Sequence, residues 1–108
     1  MAGRIERGGV WLHRFAPPDE RRPVVVISRQ EVIDLISTVL VAPITSTIRG
    51  IPSEVVLDTG DGMKGPCAVN LDHVQSVRKA DLGRQLGVLR PERLAQICRA
   101  LSVATGCS

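Results

Sequence analysis

Two polar side chains stand at the ends of β-branched runs, where each can bind an oxyanion. Arg22 lies where a loop enters the run Pro23–Ser28, so its backbone is anchored while its head can face a groove. A planar guanidinium can bind two phosphate oxygens at once. Thr45 follows the run Thr38–Ile44, and its hydroxyl can donate a hydrogen bond to a phosphate oxygen. Taken alone, both residues also fit an ordinary solvent-exposed strand end.

The histidines and cysteines lack the spacing of a metal site or a disulfide framework. The two histidines are isolated, and the three cysteines are an odd number with wide spacing. His13 lies on a predicted strand on the same side as Trp11, where a buried ring is the ordinary interpretation. Cys67 and Cys98 lie in apolar surroundings and are predicted to be buried small hydrophobic residues. We therefore expect reduced thiols, no bound metal and no cofactor.

Composition narrows the class of protein. The 108 residues are 44% hydrophobic and 23% charged, which is typical of one compact domain, residues 1–108. The net charge of +3 is weak support for a nucleic-acid partner, and 2% aromatic residues exclude an aromatic platform for stacking bases. No apolar run approaches the ~20 residues of a membrane span, and no signal sequence is recognisable. We expect a cytoplasmic protein without a membrane partner.

The pattern of elements predicts a mainly β fold. Short β-branched or apolar runs predict six strands, and they cover Val10–Phe15, Pro23–Ser28, Thr38–Ile44, Pro52–Leu57, Cys67–Leu71 and Gln85–Leu89. The continuous run Pro23–Ser28 is typical of a central strand covered on both faces. A loop is expected at 16–20, a turn at 58–62, and a short helix or turn at 29–36.

One amphipathic helix is predicted at the C-terminus. Pro91 suits its first turn, and Gly106 is a plausible stop. Its apolar stripe is Leu94, Ile97, Cys98 and Leu101. Many short strands followed by one helix favour a small, strongly curved β-barrel with the helix packed on it. So small a barrel is expected to complete its burial against a second copy of the chain.

The order of motifs resembles the MazF/PemK toxin family. The blocks that carry the resemblance span essentially the whole chain, and they are RGGVWL at 7–12, RRPVVVIS at 21–28, VAPITS at 41–46, LDHVQSV at 71–77 and DLGRQLG at 81–87. The resemblance implies an SH3-like barrel that works as a homodimer. It also implies the toxin of a type II toxin–antitoxin pair, a ribosome-independent endoribonuclease that cuts single-stranded RNA at specific sequences. An acidic, partly disordered antitoxin tail is then expected to block the RNA groove.

The resemblance assigns roles residue by residue. Metal-free RNA cleavage uses the substrate's own 2′-hydroxyl as nucleophile and leaves a 2′,3′-cyclic phosphate and a 5′-hydroxyl. Arg22 matches the family's R-P motif and is expected to stabilise the transition-state charge, while Thr45 matches the catalytic threonine. Ser46 and Thr47 are candidates for phosphate contact. Arg21 is a weaker candidate for RNA binding, because a regular strand points its side chain to the opposite face.

The segment around Asp72 holds the remaining candidates and one departure. Asp72 can serve as a base, read a nucleobase edge or make a structural hydrogen bond. His73 replaces the glutamine that the family usually has, and it is a further candidate for a base or an RNA contact. Asn70 is a candidate for RNA binding, and it stands where some members carry a functional arginine, so a positive contact is missing there. A second departure is the short loop before Arg22, in which Glu20 cannot be aligned with the family's acidic residue.

Two other classes of function remain open on the sequence. A gyrase poison on the same fold acts through a tryptophan near its C-terminus, whereas Trp11 is the single tryptophan here. A non-catalytic SH3-like module that binds RNA or protein, such as a degenerate toxin paralogue, needs neither Arg22 nor Thr45. An RNA cleavage assay separates this module from an enzyme.

Overall fold

The computed structural model describes residues 4–15 and 21–107. It contains seven strands and two helices in these ranges, and they are β1 Gly9–Arg14, β2 Arg21–Val26, α1 Gln30–Ile33, β3 Thr38–Thr45, β4 Glu54–Leu57, β5 Cys67–Asn70, β6 Gln75–Arg78, β7 Leu82–Val88 and α2 Pro91–Thr105. Three 3₁₀ turns lie at Thr59–Asp61, Leu71–His73 and Lys79–Asp81. None of the described helices is long and apolar enough to cross a membrane.

All six predicted strands are present, and the structure adds β6. This strand has one buried residue, Val77, between exposed polar neighbours, so it lacks the apolar alternation that marks a strand in a sequence. Its hydrogen bonds to β3 define it instead. The predicted segment at 29–36 contains the single-turn helix α1, and the loop predicted at 16–20 lies outside the described residues.

The strands form one antiparallel sheet in the order β4-β5-β3-β2-β1-β7. Strand β3 pairs with β2, and it also pairs with β6 through its first half and with β5 through its last two residues. Register shifts interrupt the β1–β7 ladder near Trp11, and such irregularities increase local twist. Among the described residues no ladder joins β4 to β7, so the curved sheet is not closed there.

Apolar side chains cover both faces of β2, as predicted. Val24, Val25 and Val26 are completely buried. Val25 belongs to the cluster that lies between the sheet and α2, where Leu57, Val69 and Ile97 are also buried. Val24 and Val26 belong to a second cluster on the opposite face, with Trp11 and Ile33 among its members. The central strand is thereby fixed from both sides up to the point where Arg22 begins to project.

Helix α2 begins and ends as its sequence predicts, but the face that it buries against the sheet differs from the predicted apolar stripe. Pro91 occupies the first turn, and Gly106 adopts the left-handed conformation with φ 71°. The prediction that Cys98 is buried is wrong, because its side chain is exposed and accepts a hydrogen bond from Arg7 at 3.1 Å. Ala100 is buried in its place, so the helix is rotated slightly away from the expected stripe. Cys67 is buried as predicted.

Candidate functional site

The registers of three strands bring the predicted site residues together. Arg22 of β2 lies directly opposite His13 of β1. On the other side, Val24 pairs with Pro43 of β3, and the same register continued by two residues sets Arg22 opposite Thr45. Residues that face each other in an antiparallel pair project from the same side of the sheet. Two residues 23 positions apart in the sequence therefore become neighbours.

Arg22 and Thr45 lie at the boundary between two clefts. The first cleft has a volume of about 540 Å³ and is mainly apolar, with Leu12, Ile44, Met63, Pro66, Cys67 and Leu86 in its lining. Its cationic residues are Arg22, Lys64 and Arg84. Burial raises the pKa of the Cys67 thiol, and the charges of Asp61 and Asp58 raise it further. The thiol therefore contributes an uncharged surface to the cleft.

The second cleft has a volume of about 290 Å³ and a more polar lining. It is formed by Phe15, Arg22, Pro43, Ile44, Thr45, Arg49, Asn70, His73 and Gln75. A group held between Arg22 and Thr45 thus has an apolar cleft on one side and hydrogen-bonding side chains on the other. This arrangement suits a phosphodiester flanked by two nucleosides in different surroundings.

The hydroxyl group of Thr45 is held by the turn that follows β3. Its Oγ1 accepts a hydrogen bond from the backbone N–H of Thr47 at 3.1 Å. This bond uses a lone pair, so the hydroxyl hydrogen can still be donated to an anionic oxygen. Ser46 lines the first cleft, whereas Thr47 lines neither of the two and contributes this backbone bond.

The 3₁₀ turn Leu71–His73 connects β5 to β6, and it places the side chains of Asp72 and His73 in two different grooves. Asn70 is buried, and its Oδ1 accepts a hydrogen bond from the Asp72 backbone N–H at 2.9 Å. Its Nδ2 therefore faces His73 Nδ1, at 3.5 Å. His73 lines the second cleft, but Asp72 lies in a different groove beside α2 and accepts a hydrogen bond from Ser53 Oγ at 2.5 Å.

His13 is buried in β1, next to Arg22 of the neighbouring strand. Its ring meets Phe15 edge to face, with 4.6 Å between the centroids. Burial lowers the pKa of His13, and the nearby charge of Asp81 only partly opposes this effect. Phe15 in turn packs against the second apolar cluster. The burial of His13 agrees with its interpretation from the sequence as a buried residue.

Arg21 points away from Thr45, as a regular strand requires. It pairs with Arg14 across β1 and β2. Both residues line a third cleft of about 630 Å³, which also includes Arg84 and Asp81. Sequence reasoning assigned no role to Arg14, Lys64 or Arg84. Arg14 and Lys64 lie in no family block, and the block at 81–87 that contains Arg84 was used only to recognise the family. The signal available for Lys64 was that it is one of only two lysines in the chain.

A buried ion pair anchors the segment 62–66, which lines part of the first cleft. The Asp61 side chain is fully buried, and its oxygens accept hydrogen bonds from Arg93 Nε of α2 at 3.1 and 3.2 Å. Asp61 and Asp58 also cap the turn Thr59–Asp61 reciprocally. The pKa of Asp61 is lowered overall. Burial alone raises this pKa, but hydrogen bonds from Arg93 and from the Asp58 backbone outweigh burial, and the charges of Arg93 and Arg90 add to their effect.

Two further expectations from the sequence concern Glu20 and metal binding. Glu20 lies outside the described residues. Within 4–15 and 21–107, no three His, Cys, Asp or Glu side chains form a group that could hold a metal ion.

Comparison with known proteins identifies the family. Residues 6–105 match the family model described as PemK-like, MazF-like toxin of type II toxin-antitoxin system. A probable endoribonuclease of Mycobacterium tuberculosis, MazF5, is 50% identical over 109 aligned positions, which cover 100% of this chain and 99% of that protein. The endoribonuclease MazF3 of the same species is 37% identical over 90 positions, covering 83% and 87%.

Solved structures agree with this assignment. The Mycobacterium tuberculosis toxin MazF-mt6 superimposes with a TM-score of 0.84 at 32% identity, covering 93% of this chain and 98% of that one. A mycobacterial endoribonuclease in complex with its cognate antitoxin gives a TM-score of 0.86 at 27% identity, covering 96% and 97%. The chain therefore belongs to the PemK-like, MazF-like toxin family of type II toxin–antitoxin systems. Relatives such as MazF5 and MazF3 are named as endoribonucleases, so the chain belongs to a family of RNA-cleaving enzymes.

Proposed function

We propose that this toxin is a sequence-specific, metal-independent endoribonuclease that cuts single-stranded RNA through the substrate's own 2′-hydroxyl. The observation that supports this proposal most directly is the pairing of Arg22 and Thr45 at the boundary of two clefts. In the proposed complex, the scissile phosphate lies between these two side chains, and its neighbouring nucleosides occupy the two clefts. The products are a 2′,3′-cyclic phosphate and a 5′-hydroxyl.

Arg22 is proposed to stabilise the negative charge that develops on the phosphorane. A guanidinium matches two phosphate oxygens at once, and a fixed donor is most valuable where charge increases in the transition state. Arginine does not lose its proton in proteins, so Arg22 cannot serve as the base that activates the 2′-hydroxyl. Thr45 donates to a further phosphate oxygen, because the Thr47 backbone N–H already orients its oxygen.

His73 is proposed to contact RNA in the second cleft. The Asn70 amide is oriented by the Asp72 backbone N–H, so its NH₂ group faces His73 Nδ1. A nitrogen that accepts from an amide carries no hydrogen, so in this arrangement Nε2 carries the ring hydrogen. Nε2 can then donate to a phosphate or nucleobase acceptor. Asp72, bonded to Ser53 beside α2, is proposed to support this turn.

The proposed partners follow from the charge of the clefts and from solved relatives. A mycobacterial endoribonuclease has been solved in complex with its cognate antitoxin, and MazE-MazF structures are known from Deinococcus radiodurans. An acidic antitoxin segment fits the same cationic rim as RNA, formed by Arg22, Lys64 and Arg84, and competes with it. We propose that the toxin acts as a homodimer in the cytoplasm.

The test is cleavage of a defined single-stranded RNA by purified protein in excess EDTA, followed by analysis of the new ends. We expect full activity and 5′-hydroxyl ends, with an Arg22→Ala preparation as the control for a contaminating nuclease. Activity that is lost on chelation and restored by Mg²⁺ contradicts the metal-independent mechanism. RNA binding without cleavage favours the non-catalytic module instead.

A further inference from the structure

Some cations of this chain have a carboxylate partner among the described residues and others do not. Carboxylates within salt-bridge distance neutralise several arginines, and these are Arg4, Arg78, Arg90 and Arg93. Within the described part of the chain, Arg14, Arg21, Lys64 and Arg84 have no such carboxylate partner, and all four are exposed. The four line the first and third clefts. Other exposed arginines that have no such partner among the described residues, such as Arg29 and Arg99, lie outside these clefts. Four cations with no carboxylate partner in the described ranges therefore line the surface that extends from the candidate site.

Arg14 and Arg21 are held in a position that is unfavourable for the free protein. They are directly opposite each other in the β1–β2 ladder, so their side chains project from the same side of the sheet with Cβ atoms ~5 Å apart. Like charges in this position destabilise a sheet. An anion bound by both guanidinium groups neutralises this repulsion. The pair therefore destabilises the free protein and favours the binding of an anion.

The third cleft is continuous with the candidate site. The first and third clefts adjoin, because Leu12 and Arg84 line both of them, and the first cleft is bounded by Arg22 and Thr45. One carboxylate, Asp81, also lines the third cleft, but Arg78 donates two hydrogen bonds to it at 3.0 and 3.2 Å. Among the residues that the structure describes, the lining of this cleft therefore carries a net positive charge.

We infer that the third cleft extends the RNA site and binds the phosphates of nucleotides beyond the cleaved bond, on one side of it only. Arg84 contacts the phosphate at the junction of the two clefts, and Arg14 with Arg21 contacts the next along the strand. This inference rests on the proposed function and adds a sequence-independent binding surface to it. Contacts of this kind strengthen binding and position the strand without reading bases.

The experiment measures binding of RNAs made uncleavable by a 2′-O-methyl group at a mapped cut site. One RNA spans only the two nucleotides on each side of the cut, and two longer RNAs add three nucleotides to either the 5′ or the 3′ end. We expect only one of the two extensions to tighten binding, with a steeper dependence on salt. Each phosphate contact contributes a slope of about 0.7 in log K against log salt for a single strand.

Two variants, compared with one control, then locate the added contacts. On the favoured long RNA, Arg14→Ala and Arg84→Ala are each expected to weaken binding several-fold and to reduce the salt slope by about 0.7. Arg14→Ala leaves binding of the short RNA unchanged. The matched control is Arg99→Ala, which removes an exposed arginine of α2 outside the three clefts. The melting temperature of Arg14→Ala is expected to stay level or rise, because the repulsion with Arg21 is removed.

The outcomes separate this inference from the proposed function. If the wild type cuts and binds the short RNA but the two variants keep wild-type salt slopes on the long RNA, the extension is wrong while the proposed function stands. If the wild type binds none of the RNAs, both fail. If these variants lose binding to a poly-glutamate peptide but still bind the long RNA like the wild type, the cleft binds a protein partner and the inference is wrong.

Discussion

At the residue scale, the function proposed for Arg22 depends on its exact position in the sheet. The register sets it beside Thr45 and separates it from its sequence neighbour Arg21, which lies opposite Arg14. We expect Arg22→Ala to slow cleavage by about 10²–10³ or more, since removal of one preorganised donor to an oxyanion typically has this effect. Arg22→Lys should recover only part of the rate, because an ammonium cannot bind two oxygens in a fixed plane.

The measurement for these variants is single-turnover cleavage of one RNA at saturating enzyme. Their melting temperatures should remain near that of the wild type, because Arg22 is exposed. Arg99→Ala serves as the control for loss of one surface arginine. If Arg22→Ala cuts as fast as the wild type, the catalytic role is wrong.

His73 provides a second prediction at this scale. It lines the second cleft beside Thr45, with Nδ1 facing Asn70. We expect His73→Gln to change the preferred cut sites, because the amide replaces a single ring donor by a group that both donates and accepts. Mapping of 5′-hydroxyl ends on one long RNA, before and after the substitution, measures this change. An unaltered set of sites at equal rates shows that His73 does not contact the RNA bases.

At the scale of elements, the ion pair between Asp61 and Arg93 connects α2 to the wall of the first cleft. We expect Asp61→Asn to lower the free energy of unfolding at pH 7 by about 1–3 kcal/mol, the usual range for a hydrogen bond to a charged group. Urea unfolding measures the change. Asp34→Asn is the control, because its pair with Arg4 is exposed and such pairs contribute little.

The same pair predicts a pH dependence. The pKa of Asp61 is lowered in the folded protein, so the unfolded state binds more protons as the pH falls. The stabilising contribution is therefore complete above the unfolded pKa of ~3.9 and decreases as the pH falls through the lower folded value. The difference between wild type and Asp61→Asn should shrink below about pH 4. A constant difference down to pH 2 contradicts this assignment.

At the scale of the whole molecule, several large apolar side chains remain exposed outside the two core clusters. Val88 at the end of β7 is 50% exposed and Val103 of α2 is 55% exposed, while Leu35 after α1 is 81% exposed. Such surface is normally covered when it forms a contiguous patch. We expect a homodimer at micromolar concentration, with a mass by light scattering of twice 11.6 kDa. A mass of one chain at that concentration contradicts the proposed assembly.

Local patterns in the sequence were sufficient to predict most elements. The β-branched runs predicted six of the seven strands, and Pro91 with Gly106 set the bounds of α2. These signals are local, because β-branching, proline and glycine act on the backbone at their own positions. Strand β6 was missed because its side chains are mostly exposed, and Cys98 was misjudged because the exact rotation of α2 depends on packing against the sheet.

The sequence by itself determined the family motifs and the chemistry available at Arg22 and Thr45. Only the tertiary structure decided which side chains share a cleft with them. Lys64 and Arg84 reach the first cleft from a loop and from β7, and Asp72 is drawn away to Ser53 while its neighbour His73 faces the second cleft. The positions of these side chains depend on strand register and on the turn between β5 and β6. Register is fixed by burial of whole faces, so no local pattern in the sequence records it.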